Sequence, residues 1–365
     1  MRAPRDRDAA VVGRGLVTPL GADLAATWTA LAAGRAAAPP VAAAAAPLLR
    51  AAVPEELESQ AKFLNGSGLL AAEAVAQAAA AARLAGAGHD DGTKGFYLAE
   101  IDWGVTDFFA YRPAFDDATD GFRRPLDAEA LNVATQRKLN PFYLLETLNN
   151  NAFSFVSAWH GLRGANTSVS GWSACGTAAA GLAARAVARG DAAVAVACGA
   201  GRLTSPVTRT ELERLGRSLA GVVPGEGAGA LVLEPLADAR ARGLAPAVAV
   251  LGSGGAFGAP PHHGAAVAAA VGAACEEAGL SPHALGAVWA GAADGVASGA
   301  PGRPVELRRA LGEAGPGSDA AELVLAVEAL ARGTLPDGRP AGRSALVLSC
   351  GLDGQVEALV LGRVG

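Results

Sequence analysis

Val169-Ser-Gly-Trp-Ser-Ala-Cys-Gly-Thr-Ala-Ala-Ala-Gly181 is the stretch that decides how this chain folds. It reads as a turn between a short strand and a helix, with the helix running from Ala174 to Arg189. Ala192 to Ala197 follows as a continuous apolar run, the pattern of a strand buried on both faces. Working outward, the same alternation recurs. Strands are expected at Ala9 to Val12, Gly95 to Ile101, Gly229 to Leu233, Ala247 to Leu251, near Val288, at Ala345 to Leu348 and at Glu357 to Leu361. Helices are expected at Leu24 to Ala33, Gly68 to Leu84 and Ala265 to Ala278, and Phe142 to Ser157 reads as helix then strand. Buried strands between alanine-rich helices predict an α/β protein in two similar layered halves. The boundary is placed near Leu236 to Ala245, giving 1–240 and 241–365.

Composition bounds the function. The chain has 365 residues, a net charge of −5 and 51% hydrophobic residues, enough for two core-forming halves. The mild acidity argues against nucleic acid as the main partner. Cys175, Cys198, Cys275 and Cys350 show no paired metal-ligand spacing, so no metal and no disulfide are expected. No cofactor is expected either. The start lacks the apolar core of a signal peptide, and no run of 18 uncharged apolar residues predicts a membrane span. A reduced cytoplasm is the expected compartment.

Several segments match one family in order. Upstream of the turn lies His160-Gly-Leu-Arg-Gly-Ala-Asn166. Downstream lie Arg189-Gly-Asp191 and Val223-Pro-Gly-Glu-Gly-Ala-Gly-Ala-Leu-Val-Leu-Glu234. Ala10-Val-Val-Gly-Arg-Gly-Leu-Val-Thr-Pro-Leu-Gly21, Asn140-Pro-Phe142, Glu277 to Leu285, Arg332-Gly-Thr-Leu-Pro336 and Ser349-Cys-Gly-Leu-Asp-Gly354 complete the set. Together they resemble the β-ketoacyl synthases of the thiolase superfamily. The resemblance implies an α/β, thiolase-like five-layered α/β/α/β/α fold of two similar halves. It also implies a cysteine nucleophile eight residues before a helix glycine. With Gly181 as that glycine, the nucleophile position falls on Ser173, and Cys175 lies two residues late.

The other catalytic positions depart as well. The family's first histidine, on the loop after the strand at Ala287-Val-Trp-Ala290, aligns with Gly291. Its second, in a Lys-x-x-x-Gly-His pattern, falls on Glu313. The stretch carrying the lysine reads as deleted between Leu311 and Ser318, and no lysine follows Lys138. Claisen condensation needs a thiolate for the acyl-enzyme and imidazoles to decarboxylate the malonyl group and hold its enolate. A hydroxyl without a base does neither, so no catalytic residue is expected.

Other signals stand beside these. Gly171-Trp-Ser-Ala-Cys175 approximates the Gly-x-Ser-x-Gly elbow of hydrolases. A serine there would gain N–H donors and the helix dipole, with Asp294, Asp353, His262 or His263 as conceivable bases. Gly252-Ser-Gly-Gly-Ala-Phe-Gly258 follows a strand like a dinucleotide loop, but Pro260 and Pro261 stand where the phosphate-binding helix should continue. His262-His263 has no ligand at helical spacing and reads as a solvated loop. Glu226 reads as part of a tight turn into a strand.

The resemblance is closest to the chain-length factor, the inactive subunit of bacterial type II polyketide synthases. It implies a heterodimer with an active ketosynthase subunit, and an acyl carrier protein bearing the polyketide chain, met mainly through that partner. No nucleic acid or membrane partner is implied. Leu145, Leu148 and Ala152, at i, i+3 and i+7, would share one helical face bordering the acyl tunnel or the dimer interface. The rival function is a ketosynthase-like acyltransferase or thioesterase using Ser173.

Overall fold

The computed structural model describes residues 1–37, 53–102, 108–139, 148, 150–204, 210, 214, 223–258, 263–292 and 304–365. In chain order the elements are β1 (Ala9–Val17), α1 (Leu24–Ala32), α2 (Gly66–Ala81), β2 (Lys94–Ile101), α3 (Phe108–Thr119), α4 (Ala128–Lys138), α5 (Asn151–His160), β3 (Asn166–Ser170), α6 (Cys175–Arg189), β4 (Val194–Arg202), β5 (Glu226–Pro235), α7 (Leu236–Ala241), β6 (Val248–Phe257), α8 (His263–Glu277), β7 (Ala287–Ala292), α9 (Arg308–Leu311), α10 (Pro316–Arg332), β8 (Ser344–Cys350) and β9 (Gln355–Arg363).

The strands lie in the order β3-β2-β4-β5-β1-β6-β9-β8-β7. This order is two half-sheets meeting at a single residue pair, Ala10 with Ala249. The halves repeat one pattern. In the first, β2 is parallel to β4, and β4–β5 and β5–β1 are antiparallel. In the second, β7 is parallel to β8, and β8–β9 and β9–β6 are antiparallel. The first half adds β3, parallel to β2. The second has one parallel bridge in the matching place, Trp289 with Val305.

Three apolar clusters glue the layers. One packs α2 on the outer face of the first half-sheet, around Ala71, Val75, Ala78, Leu98 and Val196. Another packs α8 on the outer face of the second, around Val267, Ala270, Leu346 and Val360. The largest lies between the half-sheets, where α6 and α10 bring Ala183, Val187, Leu323 and Val327 against Ala197, Leu231, Val347 and Leu359. The result is α2, half-sheet, α6 with α10, half-sheet, α8, the five layers expected. Helix α10 is enclosed by the layers around it and is buried from Pro316 to Leu330, whereas α6 keeps one face open at Leu182 and Arg185.

Backbone contact sets the spacing of the outer layers. A Cβ on Gly13 or Gly15 of β1 would overlap the carbonyl oxygens of Ala78 and Ala74 of α2. A Cβ on Gly252 or Gly254 of β6 would overlap those of Ala274 and Ala270 of α8. Each half therefore seats its outer helix on a Gly-x-Gly strand, alanine to glycine, four residues apart on the helix. The segment weighed above as a dinucleotide loop is thus strand β6, and its glycines serve close packing.

Other expectations need correcting. The strand expected toward Ser157 is helix α5, and β3 begins only at Asn166. Helices α3 and α4 were not anticipated. The boundary we propose between the halves, 240/241, falls at the last turn of the short helix α7. No helix among the described residues is long and apolar enough to cross a membrane.

Candidate functional site

Ser173 sits just before α6, and the turn around it is strained. Ala174 has φ 84° and ψ −29°, a left-handed conformation that costs a residue with a Cβ roughly 1–3 kcal/mol. What holds it is Asp319 of α10, whose Oδ2 accepts the N–H of Ala174 at 2.6 Å and that of Gly176 at 3.2 Å. The carboxylate thus caps the positive end of α6. The geometry resembles that of a nucleophile turn, with the N–H groups already taken.

Ser173 is buried, 3% exposed. Its Oγ donates to Oε1 of Glu313 at 2.9 Å and accepts from Nη1 of Arg308 at 2.8 Å. Arg308 is the centre of the cluster. Nη1 also pairs with Oε2 of Glu313 at 2.5 Å, Nη2 with Oδ1 of Asp319 at 2.6 Å, and Nε with Oε1 of Glu322 at 3.2 Å. Glu313 is fixed by its backbone as well. It bridges to Pro224, its carbonyl accepts from Gly225 at 2.7 Å, and its Oε1 accepts from the N–H of Gly315 at 2.7 Å. The strand-entry turn containing Glu226 therefore positions Glu313. Glu226 itself bonds Thr204 and Arg202 on β4's side.

Burial dominates the electrostatics. It pushes Asp319 up to about 6 and Glu322 up to about 7, with Arg308 opposing in both cases. Burial disfavours the Arg308 charge, but Glu313, Glu322 and Asp319 more than reverse this and hold the guanidinium above its ordinary range. Cys175, the first residue of α6, is no substitute nucleophile. Burial first, then Asp319, Asp353 and Glu357, push its thiol up to about 12, whereas a reactive cysteine needs the opposite shift.

The sequence-derived positions converge. A Cβ added to Gly291 at the end of β7 would overlap the Arg308 guanidinium. So Ser173, Gly291 and Glu313, read as the nucleophile and the two histidine positions, all face one arginine. That arginine was missed. The signal was present: with the pattern's histidine on Glu313 and its glycine on Gly312, Lys-x-x-x-Gly-His lays its lysine on Arg308 in Arg308-Arg-Ala-Leu-Gly-Glu313. The stretch read as shortened, between Leu311 and Ser318, forms the turn from the end of α9 into the start of α10.

The other named residues lie apart. Leu145, His262 and Asp294 fall outside the described residues. Leu148 precedes α5 and is half exposed, whereas Ala152 is fully buried in α5 against α2. Asp353 lies in the β8–β9 turn, bonding the N–H of Gln355 at 3.1 Å, and Gln355 accepts from the Cys175 thiol. Among the described residues no group of three metal-ligating side chains is assembled.

Residues 120–239 match the family described as β-ketoacyl synthase, N-terminal domain. The whole chain superposes on ketosynthase structures. With a Burkholderia phymatum β-ketoacyl synthase the TM-score is 0.76 at 20% identity, over 98% of this chain and 100% of that one. The chain thus shares the ketosynthase fold over nearly its whole length and resembles ketosynthases in sequence over part of it. The ketosynthase-like chain also matches the ishigamide ketosynthase/chain length factor at TM-score 0.74 and 18% identity, over 98% of this chain and 100% of that one. A type II polyketide synthase carrier protein in complex with its ketosynthase, AntDE:AntF, gives 0.77 at 18% identity, over 99% and 100%. Among curated relatives, 3-oxoacyl-[acyl-carrier-protein] synthase 2 of Vibrio cholerae is 34% identical over 209 residues, which are 51% of this chain and 50% of that protein. Its counterpart in Rhizobium meliloti is 37% identical over 139 residues, 32% of each. The ketosynthase-like chain thus spans half the length of the first relative and about a third of the second.

Proposed function

We propose that this chain is a non-catalytic ketosynthase-like chain-length factor, which pairs with an active ketosynthase and shapes the acyl tunnel in type II polyketide biosynthesis. The observation that carries the reading is Arg308. It fills the space that Ser173, Gly291 and Glu313 enclose, and it leaves neither a thiolate nor an imidazole there. A partner supplies the chemistry, and the carrier protein with its chain is met mainly on that partner. The open edge of β3 supports association, since among the described residues this strand pairs only with β2 and its residues are exposed or half exposed. Unpaired edges are templates for strand addition.

A second reading, acyl transfer or thioester hydrolysis at Ser173, draws on the Ser173–Glu313 hydrogen bond. The rest of the site opposes it. Glu313 is neutralised by Arg308, and the α6 N–H groups that would hold an oxyanion already bind Asp319.

The test is co-expression with an active type II ketosynthase subunit, followed by mass analysis of the complex and its product. Ser173→Ala is expected to leave product formation within about tenfold of wild type. A loss beyond about a hundredfold, roughly 2.7 kcal/mol of barrier, would make Ser173 a working nucleophile and overturn the proposal.

A further inference from the structure

We propose that Arg308 is a built-in stopper of the Ser173 turn, and that residue 291 is glycine because only glycine admits it. This deepens the non-catalytic reading and rests on it. Arg308 projects from the four-residue α9 into the middle layer and is 5% exposed. Each of its three guanidinium nitrogens is engaged: Nη1 by Ser173 and Glu313, Nη2 by Asp319 and Glu322, Nε by Glu322. A guanidinium held from three sides in a planar fork has no freedom to swing aside. It also fixes Asp319, and so keeps that carboxylate on the N–H groups of Ala174 and Gly176. One side chain therefore does three things: it covers the Ser173 hydroxyl, excludes any side chain at 291, and keeps the end of α6 capped.

The stopper predicts a specific coupling between positions. Arg308 in this pose and a side chain at 291 are mutually exclusive, because the first Cβ at 291 already meets the guanidinium. It predicts too that a better nucleophile at 173 would stay silent while Arg308 is present. The four native cysteines are buried, so an introduced thiol can be followed over a low background.

The experiment uses the full chain, with Ser173→Cys alone and combined with Arg308→Ala, titrated with iodoacetamide under conditions where circular dichroism shows native fold. Ser173→Cys alone should react slowly. The double variant should react at least about tenfold faster, the gain in access outweighing the loss of a cation that favours the thiolate. Added methylguanidinium, which carries the deleted group, should slow it again. In parallel, Gly291→Ala should lower Tm in the wild-type background and have little further effect beside Arg308→Ala. If Arg308→Ala does not fold, Arg308→Met takes its place, and the single variants still decide. Ser173→Cys reacting as fast as free N-acetylcysteine, or Gly291→Ala leaving Tm unchanged in wild type, overturns the stopper. Either result leaves the Ser173→Ala product assay untouched, so failure here is separate from failure of the proposed function.

Discussion

At the scale of single residues, the chemistry is governed by how few charges the middle layer can tolerate. One arginine faces Glu313, Asp319 and Glu322, all buried. Asp319 and Glu322 respond by holding protons to about 6 and about 7, and Glu100, buried on β2 against Ser67, does so to about 7. Each lies above the ordinary carboxyl value near 4, so the folded chain binds these protons more tightly than the unfolded chain. Their stabilising contribution is full below about pH 4 and is lost as pH rises through about 6 to 7. Thermal denaturation should therefore give a Tm that falls between pH 5 and 8, and Glu322→Gln should flatten that fall by fixing the neutral form. A slope unchanged in Glu322→Gln would place the titration elsewhere. Of this cluster, Ser173, Gly291 and Glu313 could be read from spacing. Arg308 could not be read by searching for a lysine, because an arginine stands where the pattern has lysine, and its contacts exist only once α9, α10 and the α6 turn meet.

At the scale of elements, the glycine pairs explain both what was legible and what misled. Gly13 and Gly15 on β1, and Gly252 and Gly254 on β6, let helix backbones press directly on strand backbones. Gly15→Ala should cost about 1–3 kcal/mol, the usual range for forcing a methyl into a packed interior, read as a lower urea midpoint at unchanged m-value. Gly86, with open space around its Cβ position, is the control and should change stability by less than about 0.5 kcal/mol. In sequence such a pair after an apolar run looks the same as a phosphate loop, since both need a missing side chain. The two differ only in what approaches the backbone. Buried strands and alanine-rich helices were visible because burial on all sides leaves a compositional mark. Helix α4 left none: only Ala134 is buried in it, so no apolar stripe marks its period, while α3 carries Pro113 in its interior, a residue that reads as a helix breaker. Edge strand β3 presents its own test. Ser168→Lys, exposed on that strand, should weaken association with the ketosynthase partner in size-exclusion chromatography while leaving the protomer's circular dichroism unchanged.

At the scale of the whole molecule, five layers place the Arg308 cluster where both halves meet, and leave apolar groups such as Leu148 half exposed, at 49%. In the proposed heterodimer Leu148 is where tunnel and interface readings part. If it ends the partner's tunnel, Leu148→Ala should give a longer product and Leu148→Trp a shorter one, both with the complex intact, because one side chain is a small share of such an interface. Unchanged product with weaker association would assign Leu148 to the interface instead. Ala152, expected to line the same face, is packed beneath α2 near Gly68, and its substitution should act on folding rather than on chain length. The helical spacing that joined Leu148 to Ala152 in sequence fails here because α5 begins only at Asn151.

The pairing of Arg308 with Gly291 also constrains the mutational paths open to this chain. A first step at 291, to any residue with a side chain, collides with the guanidinium. A first step at 308 strands three buried carboxylates without a counter-charge, a change of the kind that costs about 3–5 kcal/mol. A side chain at 291 is admitted only after Arg308 has changed, and that change carries its own cost, so position 291 is epistatically locked by position 308. A cysteine arising at 173 by a single codon change would still lie under the Arg308 guanidinium, and gains nothing until a second, costly step removes it.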